Sequence, residues 1–336
     1  MNRRETDQRE VSTMSNADAM IAEAWRLSKA WSKTARDGKK AQERARIWAL
    51  GLGFAGGLAG ALSTLGETEP TGVQYLPTAL GLAAALLVAT AAYFGRELIT
   101  QERETAWTRA RILAEALKRE CWKCLVGLPP YHNDSAGEEL EKRVRGYLDN
   151  LGLPREPIID ADAFDPAPTY TQIDDYIANR AREQMGYYEK RSGDHQLHLT
   201  NLKRASFLTG LAAVVLGVVG TLFEQMLALV PVATSGGAAI VAWLQAARLA
   251  PMVDMYQQAA SQLRLRIARW EDRAPTLQPV QRAAEEHAFV EACETIMARE
   301  NDSWQAEWMS EDKVNQAIEQ IRAGGQVPDA NPPEGS

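Results

Sequence analysis

The chain has 336 residues with a formal net charge of −7, 46% hydrophobic and 24% charged residues. Its acidic balance argues against a protein that holds nucleic acid on a basic surface, and three cysteines are too few for a disulfide framework. The mean hydropathy of −0.31 is that of a soluble globule, yet the apolar residues are gathered into four charge-free blocks.

The opening stretch, MNRRETDQREVSTMSNADAM, has no apolar run, so no cleaved secretory signal is expected and residues 1–15 read as disordered. A first two-span unit follows over 16–126. It begins with a basic run in which Lys39, Lys40, Arg44 and Arg46 would sit against anionic lipid, at about 1 kcal/mol each. IWALGLGFAGGLAGALSTLG then gives a transmembrane helix over 47–65, and PTALGLAAALLVATAAYF a second over 77–95. Beyond it, Trp107, Ala110, Ala114, Leu117, Cys121 and Cys124 form an apolar stripe at helical spacing, a seam for packing against another helix.

A Pro- and Asp-rich linker over 127–169 holds one short helix near Glu138 to Asn150. The second two-span unit covers 170–310. Its spans are predicted over 205–223 and 228–247, and the stripe Met252, Tyr256, Ala259, Leu263 follows. In both units the spans are expected to run unbroken into the striped helices. Residues 311–336 read as a short helix and a disordered tail.

Each block supplies about 19 residues or more, enough at 1.5 Å per residue to cross roughly 30 Å of hydrocarbon. Four buried helices of a soluble core would carry polar stripes, and these blocks have no charge on any face. The fold class is therefore an all-α membrane protein: two tandem hairpins, four spans, with long helices forming a bundle outside the bilayer. The loops 66–76 and 223–230 contain no Lys or Arg. The positive-inside rule then places the N-terminal, central and C-terminal segments in the cytoplasm. A bacterial inner membrane is the natural setting.

Shifting the chain by 157 residues superposes the two units: Gly53 on Gly210, Gly60 on Gly217, Thr64 on Thr221, Glu67 on Glu224, Lys33 on Lys190 and Trp31 on Tyr188. Both units enter from the same side, so the axis relating them should lie along the membrane normal, unlike the inverted repeats of many transporters.

Gly51, Gly53 and Gly56 spell a dinucleotide fingerprint, but they lie inside a span and lack the preceding strand that the fingerprint requires. Gly56 and Gly60 instead form a small-residue face for close helix approach, aligned with Ala213 and Gly217. The candidates for helix packing or pore lining are Gly53, Gly56, Gly60, Thr64, Gly210, Ala213, Gly217, Thr221, Thr234 and Ser235. Cys121 and Cys124 occupy the apolar stripe and read as packing thiols; His132 and Cys293 are not joined to them by any zinc-site spacing. His195 and His198 read as a solvated face, and Asp160, Asp162 and Asp165 as a soluble linker without the Gly and Glu of a calcium loop. No nucleophile–base signature or phosphate loop points to catalysis, so no catalytic residue, metal or cofactor is expected, and nucleic acid is not an expected partner.

Two spans followed by a charged helical bundle resemble the SLATT domains, two-transmembrane effectors of bacterial conflict systems. FVEACETIMARENDSWQAEW, with Glu294, Glu300 and Trp304, is similar to the end of such a domain, and YIANRAREQMGYYEKRS to its start. The resemblance covers two tandem copies, about 16–150 and 170–310, the second being the better match. It implies a membrane pore encoded beside nucleotide-signal synthases or sensors that kills or arrests infected cells.

The reading that follows is a homo-oligomeric pore or ion channel, a dimer or larger, gated by its cytoplasmic helices in antiphage or conflict defence. A nucleotide second messenger or a cytoplasmic sensor protein is the class of trigger expected. The alternative is a membrane-anchored scaffold that recruits partners without conducting. A coupled transporter would place Asp, Glu or His within the spans, and these spans have none.

Overall fold

The computed structural model describes residues 3–66, 75–132, 134–154 and 165–299, and among these every regular element is helical. The first unit is α1 (Arg3–Gly66), α2 (Leu76–Tyr93), α3 (Gln101–Val126) and α4 (Ala136–Leu151). The second is α5 (Ile173–Tyr176), a π-helical turn Ile177–Arg182, α6 (Glu183–Gly220), α7 (Val230–Ala247), α8 (Leu249–Arg273) and α9 over 279–299. Helix α1 starts at Arg3, inside the stretch expected to be disordered. The predicted linker helix is α4. Of the predicted linker, 155–164 lies outside the described residues, as do Glu300, Trp304 and the segment 311–336.

Both units follow one plan. A long helix runs from the polar half into the apolar half, the second helix returns antiparallel to it, and the third packs back along the polar half of the first. The shift of 157 residues holds at the level of burial. Ala24 and Ala181 are both buried, as are Trp31 and Tyr188, and Ala35 and Ser192. Among the described residues four helices are long and apolar enough to cross a membrane, and at most 11% of the apolar stretch of any of them is buried. Leu82, Leu86, Phe207, Val214 and Val218 stand exposed along them. A soluble core would bury these side chains, so the apolar face meets lipid and the chain is a multi-pass membrane protein.

The expected continuity from spans to bundle is not what the structure has. Helix α2 loosens into a π-helical turn over Phe94–Leu98 and then stops. Ile99 is non-helical, and Thr100 is extended and caps α3 by accepting from the Arg103 amide. In the second unit α7 ends at Arg248, whose φ of +46° is left-handed, and α8 starts afresh. A non-glycine residue in that region costs about 1 kcal/mol or more. Hydropathy reports whether a residue prefers lipid and carries no information on such a local backbone reversal.

The polar halves form two cores. Ile21, Ala24, Leu27 and Trp31 of α1 meet Leu113, Leu117, Cys121 and Cys124 of α3 and Leu140, Val144 and Leu148 of α4. In the second core α5, α6, α8 and α9 close around Tyr176, Tyr188, Tyr256, Leu263 and Val290. Both sequence stripes are buried along their length. Trp122 fuses the cores: its neighbours Cys121 and Cys124 face the first, while its own ring enters the second and meets Tyr176 edge-on at 5.5 Å.

Within the membrane, α1 and α2 approach where glycine permits it. A Cβ on Gly56 would stand 2.8 Å from Val88 Cγ2 and 3.1 Å from the Ala84 carbonyl oxygen. At Gly210 and Gly217 of α6 a Cβ meets nothing within 4 Å. Gly56→Leu should therefore destabilise the first hairpin by about 1–3 kcal/mol, whereas Gly210→Leu should leave the folded monomer unchanged. Thermal unfolding in detergent reads both, and equal effects at the two sites would refute the assignment.

Candidate functional site

The polar half holds two buried carboxylates, one in each unit. Glu294 on α9 is 2% exposed and accepts three hydrogen bonds, from Arg180 Nε and Nη2 at 2.9 Å each and from the Tyr176 hydroxyl at 2.9 Å. Tyr176 ends α5 and Arg180 lies four residues on, within the π-helical turn, and both side chains reach α9. Burial works against the Arg180 charge, but Glu294 outweighs it and holds the guanidinium protonated. Burial, then the Glu294 charge, raises Tyr176 well above its ordinary range and keeps it a donor.

Glu120 on α3 is 1% exposed and accepts from Tyr131 Oη at 2.6 Å and Tyr147 Oη at 3.0 Å. Arg119 and Arg143 stand 3.5 and 3.7 Å from it, and Arg119 also donates to Tyr147 Oη at 3.0 Å. Sequence reasoning missed this cluster entirely. Glu120 sits between Arg119 and Cys121 with nothing in its spacing to mark it as internal.

Beside Glu294 lies a cleft of about 240 Å³, lined by Glu115, Ala116, Arg119 and Tyr147 of the first unit and Arg180, Glu294 and Met297 of the second. Burial pushes the Glu115 carboxyl upward, but Lys118 and Arg180 prevail and hold it at about 2. The cleft wall is thus charged on both sides, and the two units touch through it.

Nearer the spans the units meet again. Position 38 of α1 and position 195 of α6 are equivalent under the repeat, and each meets an aromatic residue of the third helix of its unit, Trp107 of α3 and Tyr256 of α8. Gly38 lets Trp107 approach until a Cβ there would stand 2.9 Å from the Trp107 Cβ. His195 stacks on Tyr256, centroids 5.8 Å apart and planes within 11°. Tyr256 Oη also accepts from Arg111 of the first unit at 3.4 Å. His195 is therefore half-buried and stacked, which corrects its placement on a solvated face; His198 is exposed. Burial, then the charges of Lys39 and Arg191, lowers His195 to about 4, with Asp194 opposing and His198 adding a little.

The predicted pore or packing residues do not converge on one path within the chain. Gly53, Gly56 and Gly60 face α2, through Ala91, Val88 and Ala84 respectively. Gly57 and Phe54 instead meet Val232 and Gly236 of α7, so α1 is the helix joining the hairpins. Gly210 and Gly217 meet no neighbouring helix, and Ala213 between them is half-buried. Thr64 donates to the Ala61 carbonyl and Thr221 to that of Val218, the same bond in each repeat; Thr234 and Ser235 likewise donate to carbonyls within their own helix. The thiols behave as apolar side chains: burial raises Cys121, raises Cys124 to about 11 and raises Cys293 to about 12. Cys293 belongs to a different core from the other two.

With this geometry in place the comparisons divide the chain in two. Residues 176–304 match the family described as SMODS and SLOG-associating 2TM effector domain 1. Residues 29–139 match a family described as Protein of unknown function (DUF4231). No curated protein and no solved structure matches. The second half of the chain is therefore similar to a SLATT domain, the match beginning at Tyr176 and taking in both Arg180 and Glu294, the ion pair that closes its bundle. The first half matches a different family, so two copies of SLATT are not shown, although both halves share one architecture.

Removing one member of the buried pair leaves the other charge uncompensated. Arg180→Met should cost about 3–5 kcal/mol in a denaturant titration, and Arg180→Met with Glu294→Leu should recover much of that loss. A double variant as damaged as the sum of the singles would refute the pairing. His195 has a folded value near 4 against an ordinary 6.5, so the unfolded chain binds the extra proton first. Stability should fall as pH drops through 6.5 and level off below 4. His195→Phe keeps a ring on Tyr256 and should flatten that slope in melting curves between pH 7 and 5; an unchanged slope would rule out His195 as its source.

Proposed function

We propose that this protein is a homo-oligomeric membrane pore or ion channel of a bacterial conflict or antiphage system, gated by the helical bundle outside the bilayer. In this reading it lies in the bacterial inner membrane with both termini cytoplasmic, since the loops joining the spans carry no Lys or Arg. It is an effector and not an enzyme. The observation that carries the reading is the pair of backbone breaks, at Ile99–Thr100 and at Arg248, where each returning span leaves the membrane half. A rigid bundle joined to spans through short non-helical links can tilt the spans without unfolding them, the repertoire of gating transitions. The effector description of the matched domain supports the same role.

Four spans per chain are too few to enclose a water path, so the pore forms between subunits. The open face of Gly210 and Gly217 offers the close backbone approach that membrane helices use for association. The trigger would be a nucleotide second messenger or a cytoplasmic sensor protein acting on the bundle. One observation favours the alternative, an anchored scaffold: Thr64, Thr90, Thr221, Thr234 and Ser235, all exposed, donate within their own helices, as lipid-facing hydroxyls must.

Conductance of the purified protein in a planar bilayer, with and without a panel of nucleotide signals, separates the two. Unitary currents changed by Gly60→Leu or Thr221→Val are expected. Silence under every ligand, from folded oligomeric protein, would establish the scaffold instead.

A further inference from the structure

Helices α8 and α9 leave an open groove of about 620 Å³ on the outside of the second bundle. Arg266 and Arg269 of α8 and Arg299 of α9 line it, all three exposed, and among the described residues none is ion-paired with a carboxylate. Glu291 is the acidic side chain of that lining, so positive charge prevails here in a chain whose net charge is −7. Neighbouring arginines of the same bundle are matched. Arg182 pairs with Glu271, Arg264 with Glu189, Arg273 with Glu285 and Arg282 with Glu286.

The order of these groups along the groove follows from one contact. Trp270 packs on Phe289 with ring centroids 5.2 Å apart, and the chain turns back through Ala274–Thr276, so α8 and α9 run antiparallel. Counted from that contact at helical rise, Arg269 and Arg266 stand toward the turn and Arg299 about 13 Å beyond Arg269. Leu265, which is 55% exposed, and Ile296 fall between the two ends. The groove therefore reads cation, apolar strip, cation.

That order selects a ligand chemistry. Guanidinium forks match phosphate oxygens two at a time, and their planes stack on flat rings. Exposed aliphatic side chains gain by being covered, and a groove of this size lies within the range of roughly 300–1,000 Å³ for small-molecule sites. Glu291 separates the candidates. Its carboxylate would repel an acidic peptide, but it can accept from the exocyclic amine of a base. We propose that the groove binds a dinucleotide. One phosphate is held by Arg266 and Arg269, another by Arg299, and a base lies over Leu265 and Ile296 within reach of Glu291.

The consequence for gating rests on the pore reading given above. Helix α8 joins span α7 at Arg248, and α9 carries Glu294, which holds Arg180, beside the groove residues Thr295 and Ile296. A ligand that draws α8 and α9 together thus acts on the helix that leads into a span.

The test is isothermal titration calorimetry on the full-length protein in detergent. The probes are cyclic di-AMP, cyclic di-GMP and linear pApA, with pyrophosphate and octaglutamate for comparison. At least one dinucleotide is expected to bind, one per chain. Its affinity should fall about tenfold or more in Arg266→Glu with Arg269→Glu, and again in Arg299→Glu. Arg264→Gln, outside the groove, should bind as the unsubstituted chain does. Arg266→Gln with Arg269→Gln, which adds no negative charge, repeats the test should the reversal disturb folding. Four results would each overturn the proposal: no dinucleotide bound, binding indifferent to the arginine changes, pyrophosphate bound as tightly as any dinucleotide, or octaglutamate bound in preference. The third would mean a bare anion site, and the fourth an acidic protein partner. Binding is read without conduction, so a bound dinucleotide on a silent protein would sink the pore and keep the site. Currents from a protein that binds none of the dinucleotides would do the reverse.

Discussion

A hydrocarbon layer offers no partner to a peptide N–H or C=O, and each group left unpaired there costs several kcal/mol. That constraint organises the rest of this protein. It makes the four apolar blocks helical whatever their side chains prefer, and it turns hydroxyls such as those of Thr64, Thr221 and Thr234 back onto their own helix. It also confines irregular backbone to the exits. The π-helical turn at Phe94–Leu98, the extended Thr100 and the left-handed Arg248 all fall where the apolar stretches give way to charge. Water and side chains are available there to satisfy what the helix no longer does. The joints of the molecule therefore stand at the boundary between two solvents.

Below that boundary the polar halves are held by a different balance. Two small helical cores, each with a buried carboxylate, would be separate bodies if only surface contacts joined them. Trp122 prevents this by passing from the helix of the first core into the centre of the second. Arg111 adds a bond to Tyr256 across the same seam. The buried ion pair Arg180–Glu294 contributes less to net stability than its geometry suggests, because desolvation offsets most of the Coulomb gain. What it does supply is register. Tyr176, Arg180 and Glu294 satisfy one another only when the π-helical turn and α9 sit at one relative height. The result is a bundle that responds to a push at one point as a unit, linked to its spans by short breaks.

What the sequence made legible was local. A run without charge is a span because every residue in it speaks for lipid, and a stripe at 3–4 spacing is a seam because the helix repeat places those residues on one face. Trp107 to Cys124 and Met252 to Leu263 are buried for that reason. The rest depended on partners remote in the chain. Arg180 and Glu294 are 114 residues apart, and nothing near either one names the other. Glu120 stands between Arg119 and Cys121, and what makes it internal is Tyr131 and Tyr147, which reach it from beyond α3. His195 was misplaced because its stacking partner arrives on another helix. The breaks after the spans were invisible because a left-handed arginine is a consequence of tertiary packing, not of composition.

The repeat shows most clearly how one pattern can be put to two uses. Gly53 and Gly210 are equivalent by sequence, as are Gly60 and Gly217, yet the first of each pair packs against α2 while the second faces open space. The difference follows from what each hairpin must do within one chain. The long helix of the first hairpin contacts its own returning helix and also α7 of the second, through Gly57 and Phe54. It therefore has a neighbour on two sides, and Gly53, Gly56, Gly57 and Gly60 all lie at those contacts. The long helix of the second hairpin packs on α7 through Thr209 and Gly237 but keeps its glycine face free. A duplicated unit that formed symmetric contacts on both sides would close on itself as a four-helix membrane body. Divergence at these positions leaves one face without a partner inside the chain, and that asymmetry is what allows the hairpins to hold different neighbours.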